Sequence, residues 1–370
     1  MHLFGRPTGP LHYLTPSYAV FLLGNLKMMK ALQATVVDGI HKLTLKDVPK
    51  PSIDNPNQIL VKVIAAAVNP SDIINSKGTR ALNLLSDSGL GGICGKKADN
   101  LEGGFPHTTF PRILGRDFAG IVVEPPSSPL CGKEVFGTSG HDLSFTIDGA
   151  YAEYVLVREK AVARKPENLS FAQAASVCTP YTTASLAIRR SRLQPTETVL
   201  VVGATGAVGT AATQIATQMG CTVLTAARNP ACSINLKEDP NLQTAKDLTH
   251  GKGPDVAIDT VGDLALTRSA LASLSTGGRL SFISVGRSTA SEMQVDMKTL
   301  YRLEQAIIGS NSVEHDAEEM AGWLSEIGLL FEKGELKAVS DKELTQIRIE
   351  DFATAFDGST RGKIIIMLDP

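Results

Sequence analysis

No two of the five cysteines, Cys94, Cys131, Cys178, Cys221 and Cys232, form a CxxC pair, and their number is odd. That argues against a disulfide framework and against a clustered zinc site. It is consistent with a reducing compartment, so a cytoplasmic location is expected ahead of a mitochondrial one. The chain also lacks any apolar run near the roughly 20 residues of a spanning helix. Tyr18 to Leu23, the longest such run near the N-terminus, falls short of a signal core. Charge of one sign is missing as well: 36 Lys and Arg stand against 38 Asp and Glu, for a formal net charge of -2. With no Lys/Arg-rich run, neither nucleic acid nor an anionic membrane is an expected partner, which leaves a small-molecule substrate. What is present, 43% hydrophobic and 20% charged residues over 370 positions, is enough for two packed domains with ordinary surfaces.

Acidic residues are absent from Met1 to Val37, where Arg6, Lys27 and Lys30 occur. This is faintly like an organellar transit peptide. A single Arg, with Pro7, Pro10 and Pro16 opposing a continuous helix, favours a disordered or mis-assigned leader over 1–29, with Met28 or Met29 an equally good start of the folded part.

Beyond Lys30 the pattern becomes β-rich. Ala31 to Val37, Leu43 to Val48, Ile59 to Val68, Phe118 to Val123, Glu134 to Gly137 and Ala150 to Val157 are rich in β-branched residues between turn signals. The stretch from Lys77 to Pro111, loaded with Gly, Ser, Asp and Asn, is too long for an ordinary connection and is expected to be a lid or a loose insertion. Helices are expected over Ala172 to Val177 and Thr182 to Arg190. From Thr198 onward strands and helices alternate as in a parallel sheet, with buried strands at Asp255 to Val261 and Arg279 to Val285. A helix around Ala317 to Lys333 and a terminal strand, Lys363 to Leu368, close the sequence.

The apolar strand Thr198 to Val202 runs directly into Gly203-Ala204-Thr205-Gly206-Ala207-Val208-Gly209, and a helix follows with Val208, Ala212, Ile215 and Met219 on one face. In that context Gly206 lets the backbone approach a pyrophosphate and Gly209 lets helix pack on strand. The helix N-terminus supplies free N–H groups. Ala204 stands where the first glycine of GxGxxG usually sits. A second strand, Cys221 to Ala227, leads to the position that selects the cofactor, where an acid would bind a ribose 2′-OH. The sequence there is Ala226-Ala227-Arg228-Asn229, and a guanidinium able to hold a 2′-phosphate favours NADPH over NADH.

Several separated motifs agree in order with these features: Val68-Asn69-Pro70-Ser71-Asp72, Pro111-Arg112-Ile113-Leu114-Gly115-Arg116-Asp117-Phe118-Ala119-Gly120, Asp148 to Tyr154, Gly253-Pro254-Asp255 to Gly262, and Gly277-Gly278-Arg279 to Gly286. With them, from about Lys30 onward, the chain resembles the medium-chain dehydrogenase/reductase superfamily, in its quinone oxidoreductase and enoyl reductase branch. The resemblance implies an α/β protein: a GroES-like β-rich catalytic domain over 30–165 and 310–370, and a Rossmann doubly wound parallel sheet over 166–309, with the active site between them. It also implies a homodimer formed through Rossmann edge strands, with Arg279 to Val285 and its neighbours near the interface.

Zinc-dependent relatives carry Cys, His-Glu and Cys where this sequence has Asn69, Arg116-Asp117 and Thr179, so no metal is expected. Without a Lewis acid, the resemblance implies reduction of a quinone or of a C=C conjugated to a carbonyl. By the same resemblance Asn69, Asp72 and Thr183 are the candidate catalytic residues. Ala204 to Gly209, Arg228, Ser284 and Val285 would hold NADPH, and Tyr181 and Arg116 are looser candidates.

Two departures stand out. No tyrosine follows the NPxD motif, where enoyl thioester reductases have one, and Leu236 replaces a tyrosine common on the adenine side of quinone reductases. The 27 residues between Arg228 and Val256 are also too few for two full crossovers, so one helix is expected to be missing. These departures keep open a catalytically silent NADPH-binding scaffold; an accessory trans-acting enoyl reductase is a narrower form of the leading reading, and a zinc alcohol dehydrogenase is a third alternative, expected to fail a metal analysis.

Overall fold

The computed structural model describes residues 27–37, 39–77, 105, 107–285, 292–358, 360 and 362–368. The leader expected over 1–29 and the loop expected from Lys77 to Pro111, with Cys94, lie largely outside the described residues.

The β-rich unit is built from two sheets. Strands β1 (Met28–Val37) and β2 (Ile40–Pro49) form a ten-residue-long antiparallel hairpin, and β4 (Arg112–Ile113) pairs with the free side of β1. The larger sheet is organised on β3 (Gln58–Val68), which is flanked by β5 (Asp117–Glu124) and followed outward by β6 (Glu134–Gly137) and β8 (Ala163–Arg164). Strand β7 (Tyr154–Arg158) pairs with the first half of β3. Of the expected strand Ala150 to Val157 only Tyr154 to Val157 is extended, within β7: Ala150 and Tyr151 are held in a bend by backbone bonds to Gly115 and Leu114.

In the second unit six parallel strands, β9 (Thr198–Val202), β10 (Thr222–Ala227), β11 (Ile234–Asn235), β12 (Val256–Asp259), β13 (Arg279–Phe282) and β14 (Ala306–Gly309), lie in the order β11-β10-β9-β12-β13-β14. Numbered within the unit this is 3-2-1-4-5-6, the doubly wound Rossmann arrangement, with its crevice where the order reverses between β9 and β12. The central strands β9 and β12 are largely apolar and buried because both faces are covered. On one face lie the helices Phe171–Arg190 and Ala207–Gln218, and on the other Leu200, Val202, Leu224, Ala257 and Leu280 pack with Leu242, Ala270 and Leu271.

The helix expected to be missing is indeed absent between β10 and β11. Ile234 pairs with Ala226 and Asn235 with Ala227, at the very end of β10. The chain therefore backs up by only two residues, about 7 Å at strand rise, instead of the whole length of a strand, and needs no helix to do so. Hydrogen bonds between Thr225 and Ser233 fasten the return.

Two expectations are corrected. Helices were expected on either side of Cys178 to Tyr181, but Phe171–Arg190 is one helix of 20 residues with Pro180 inside it. Interior proline costs about 3 kcal/mol. Fifteen residues of this helix are buried, and that packing outweighs the penalty. A capping box between Ser170 and Gln173 fixes its start. Second, Arg279 to Val285 is not at the sheet edge, because β14, unseen in the sequence, covers β13 and is itself the edge strand.

Strands β15 (Thr345–Arg348) and β16 (Ile364–Met367) leave the Rossmann unit behind and return to the β-rich one, where Ile364 pairs antiparallel with Val68. No described helix is long and apolar enough to cross a membrane.

Candidate functional site

The end of β3 and the beginning of β5 lie side by side, with Ala67 opposite Asp117, and the helix Phe171–Arg190 packs across them. This brings four distant sequence segments to one point. Asp117, fully buried, accepts from Thr138 Oγ1 and Thr179 Oγ1 at 2.6 Å through Oδ1. Its Oδ2 accepts from Thr179 N at 3.0 Å and from Asn69 Nδ2 at 2.9 Å. All the lone-pair directions of the carboxylate are thus filled by neutral donors.

Asn69 is held from both ends, since its Oδ1 also accepts from Lys363 Nζ at 2.6 Å. The register explains the meeting: Ile364 faces Val68, so Lys363, just before β16, faces Asn69, just after β3. Burial draws the Lys363 ammonium below its ordinary pKa, against the pull of Asp117, Asp72 and Cys178. Lys363 escaped the sequence reading, and the only local signal was a charged residue opening an otherwise apolar terminal strand.

Asp72 lies in the first turn of the helical stretch 70–77 and closes the turn on itself, accepting from Asn69 N at 2.9 Å. Its carboxyl is enclosed, at 1% exposure, and Oδ1 has no partner among the described residues. Burial lifts its pKa to about 6, opposed chiefly by the Arg116 guanidinium. Arg116, itself buried, donates from Nε to Ser139 Oγ at 2.6 Å and from Nη1 to Ser71 Oγ at 3.1 Å, and lies over the Phe145 ring at 5.4 Å. Beside Asp72, Tyr151 gives its hydroxyl to the Ala67 carbonyl at 3.2 Å. Burial pushes that hydroxyl well above its usual pKa.

Thr183 lies one turn beyond Thr179 on the same helix face, buried, with its hydroxyl unpartnered among the described residues. Tyr181 occupies the opposite face. Its ring packs on Phe331 at 5.0 Å and its hydroxyl accepts from Gln214 Nε2 at 3.0 Å, and burial pushes that group up to about 12. The structure therefore does not bring Tyr181 to the Asp117 cluster, a separation that two residues of helix, about 200° of rotation, make unavoidable.

The remaining candidates gather at the C-terminal ends of the Rossmann strands. Gly203 has φ +82° and Gly209 approaches it so closely that a Cβ there would lie 2.1 Å from the Gly203 carbonyl oxygen. The helix Ala207–Gln218 starts at Gly206 with no side-chain cap, so its first-turn N–H groups have no intrahelical acceptors. Thr205, Gly206 and Ala207 are exposed, Val208 is half-buried, and Ala204 and Gly209 are buried. Because Ala226 pairs with Val202, exposed Arg228 stands level with Ala204, one strand away. Ser284 is exposed and Val285 half-buried just past β13. A glycine cradle, a bare helix N-terminus and a guanidinium on the adjoining strand fit a phosphorylated dinucleotide.

Of the four residues that the family resemblance sets against zinc ligands, Asn69, Arg116 and Thr179 carry an amide, a guanidinium and a hydroxyl. The fourth, Asp117, is saturated by its four hydrogen bonds. Among the described residues no three His, Cys, Asp or Glu converge on one point.

Residues 55–167 match the family model of the alcohol dehydrogenase GroES-like domain, and 207–326 that of the zinc-binding dehydrogenases. A zinc-type alcohol dehydrogenase-like protein of Schizosaccharomyces pombe is 43% identical over 318 residues, 85% of this chain and 89% of that protein. Human quinone oxidoreductase is 30% identical over 363 residues, 92% of this chain and 98% of its own length. Among solved structures, the quinone oxidoreductase of Coxiella burnetii superposes with a TM-score of 0.66 at 25% identity, over 93% of this chain and all of that one. An alcohol dehydrogenase superfamily protein of Novosphingobium aromaticivorans gives a TM-score of 0.70 at 23% identity, over 92% and 100%.

Proposed function

The chain belongs to the medium-chain dehydrogenase/reductase superfamily, among quinone oxidoreductase-like oxidoreductases, and from that premise we propose that it is an NADPH-dependent, zinc-free reductase of quinones or of C=C bonds conjugated to a carbonyl. The observation that carries the proposal is the donor set at the Asp117 cluster. Beyond the donors already spent on Asp117, it leaves the Thr183 hydroxyl and the spare N–H groups of Lys363 and Arg116, which suit a developing oxyanion and not a divalent metal.

In this reading Ala204 to Gly209 bind the pyrophosphate, Arg228 takes the 2′-phosphate, and Ser284 and Val285 border the nicotinamide end. When bound, the reduced nicotinamide supplies the hydride. Thr183 directs its free hydroxyl to the acceptor. Asn69 is fixed in orientation by Asp117, and Asp72 holds the turn that presents it. The partner is then a small-molecule acceptor, and the exposed Ile307 on edge strand β14, with Tyr301 and Met297 close by, favours a homodimer built on that strand.

The test is a fluorescence titration with NADPH and NADH, followed by NADPH oxidation against a panel of quinones, enones and enoyl thioesters. Turnover of any acceptor with NADPH preferred supports the reading. NADPH binding with no turnover across the panel would instead favour a silent scaffold, the outcome that the shortened β10 to β11 return argues for.

A further inference from the structure

Asp117 is already bonded to four neutral donors, and Lys363, which feels its charge, forms no ion pair among the described residues. Lys363 Nζ makes one hydrogen bond, to Asn69 Oδ1, and an ammonium has three N–H groups. Two remain unused among the described residues. The group is nonetheless held tightly in place: its stem leaves a strand end set by the pairing of β16 with β3. Its acceptor is locked by Asp117, and Asp117 by Thr138 and Thr179. A cation with spare donors, preorganised beside Asn69, has the attributes needed to bind negative charge as it develops.

We propose that Lys363 is the electrophilic residue of the site, donating from Nζ to the acceptor oxygen on which charge accumulates during reduction. The inference rests on the reductase reading given above. As the hydride forms a new C–H bond at the acceptor, the electron pair of the C=C bond shifts through the conjugated system to the carbonyl oxygen. Lys363 stabilises that oxyanion by hydrogen bonding, and a proton from solvent completes the two-electron reduction. Asn69 is a positioning residue: it orients Nζ, and Asp117 orients Asn69.

The test uses the full chain with Lys363→Met and Lys363→Arg. One readout is kcat and KM with the best acceptor of the panel, beside the NADPH dissociation constant. A second, independent of turnover, is the ionised fraction of bound p-nitrophenol, followed by its absorbance as a stand-in for the oxyanion. The expectation for K363M is a fall in kcat on the order of 100-fold, NADPH affinity within about twofold of the parent, and loss of the phenolate signal. K363R should recover part of both kcat and signal. Unchanged kcat in K363M, or a loss of NADPH affinity that accounts for the whole defect, would overturn the proposal. The latter would make Lys363 a cofactor ligand. If the parent protein reduces no acceptor, the reductase reading fails while the phenolate measurement still decides whether Lys363 binds an oxyanion.

Discussion

Asn69 donates its side-chain N–H to the Asp117 carboxylate at 2.9 Å across 48 positions of sequence, and the remaining bonds of the site are arranged around that contact. Removing the acceptor should therefore unsettle more than one neighbour. Asp117→Ala strands two threonine hydroxyls, a backbone N–H and an amide in the interior, and leaves Lys363 and Arg116 without their nearby negative charge. A loss of about 3–5 kcal/mol is expected, read as a lower urea midpoint. A change within error would show that the cluster contributes little to the fold.

Substituting the glycine that joins strand to helix should be nearly as damaging, for steric reasons alone. In Gly209→Ala the new methyl meets the Gly203 carbonyl at 2.1 Å, a backbone contact with nowhere to shift. The expectation is about 1–3 kcal/mol of destabilisation with NADPH affinity down at least roughly tenfold. Gly220→Ala is a useful contrast: its Cβ would meet nothing within 4 Å, although its φ of +89° strains any side chain.

Cofactor choice is predicted to depend on Arg228, which is exposed beside the turn. Arg228→Ala should weaken NADPH by about tenfold, the value of one charge-assisted contact, and leave NADH unchanged. Equal losses for both cofactors, or none, would remove Arg228 from the 2′ position.

Stability should carry a pH signature from Asp72. Its folded pKa, about 6, lies above the ordinary 3.8, so the folded state holds the proton more tightly than the unfolded state. Stability from this group is then complete below about pH 4, declines as pH rises through 6, and is flat above. The decline amounts to about 3 kcal/mol. Asp72→Asn lacks that slope, so urea midpoints of parent and variant should converge or cross between pH 7 and pH 4. Parallel curves would refute the assignment.

Metal removal is expected to change nothing. Dialysis against a chelator should leave turnover intact, and elemental analysis should find no stoichiometric zinc. Activity lost on chelation and restored by zinc would contradict the proposed reaction.

Local pattern made the strand–glycine turn–helix unit legible, because Gly203, Gly206 and Gly209 stand between an unbroken apolar strand and an amphipathic helix. Simple counting revealed the lost crossover after Arg228. What stayed hidden depends on distant pairing. Nothing near Lys363 marks it, since its meaning comes from the register of β16 on β3. Pro180 signalled a break that burial of the surrounding helix overrides, and helical phase, not proximity in sequence, carried Tyr181 away from Thr179 and Thr183. Strand β14 was missed because four residues with a glycine at the end give too weak an alternation to stand out.

The pairing of β16 with β3 joins side chains 294 positions apart and so governs when the site comes into being during synthesis. On the ribosome the β-rich unit emerges early, with Asn69 and Asp117 in place and the central position of its sheet exposed on one side of β3. The Rossmann unit must be translated and begin to fold before the strand that delivers Lys363 exists. Such a late, non-local closure is slow to form and leaves an unpaired strand edge in the interim. The nascent protein therefore passes through an interval in which its glycine turn can form while the Asp117 cluster still lacks Lys363 and the last residues of β3 still lack their β16 partner.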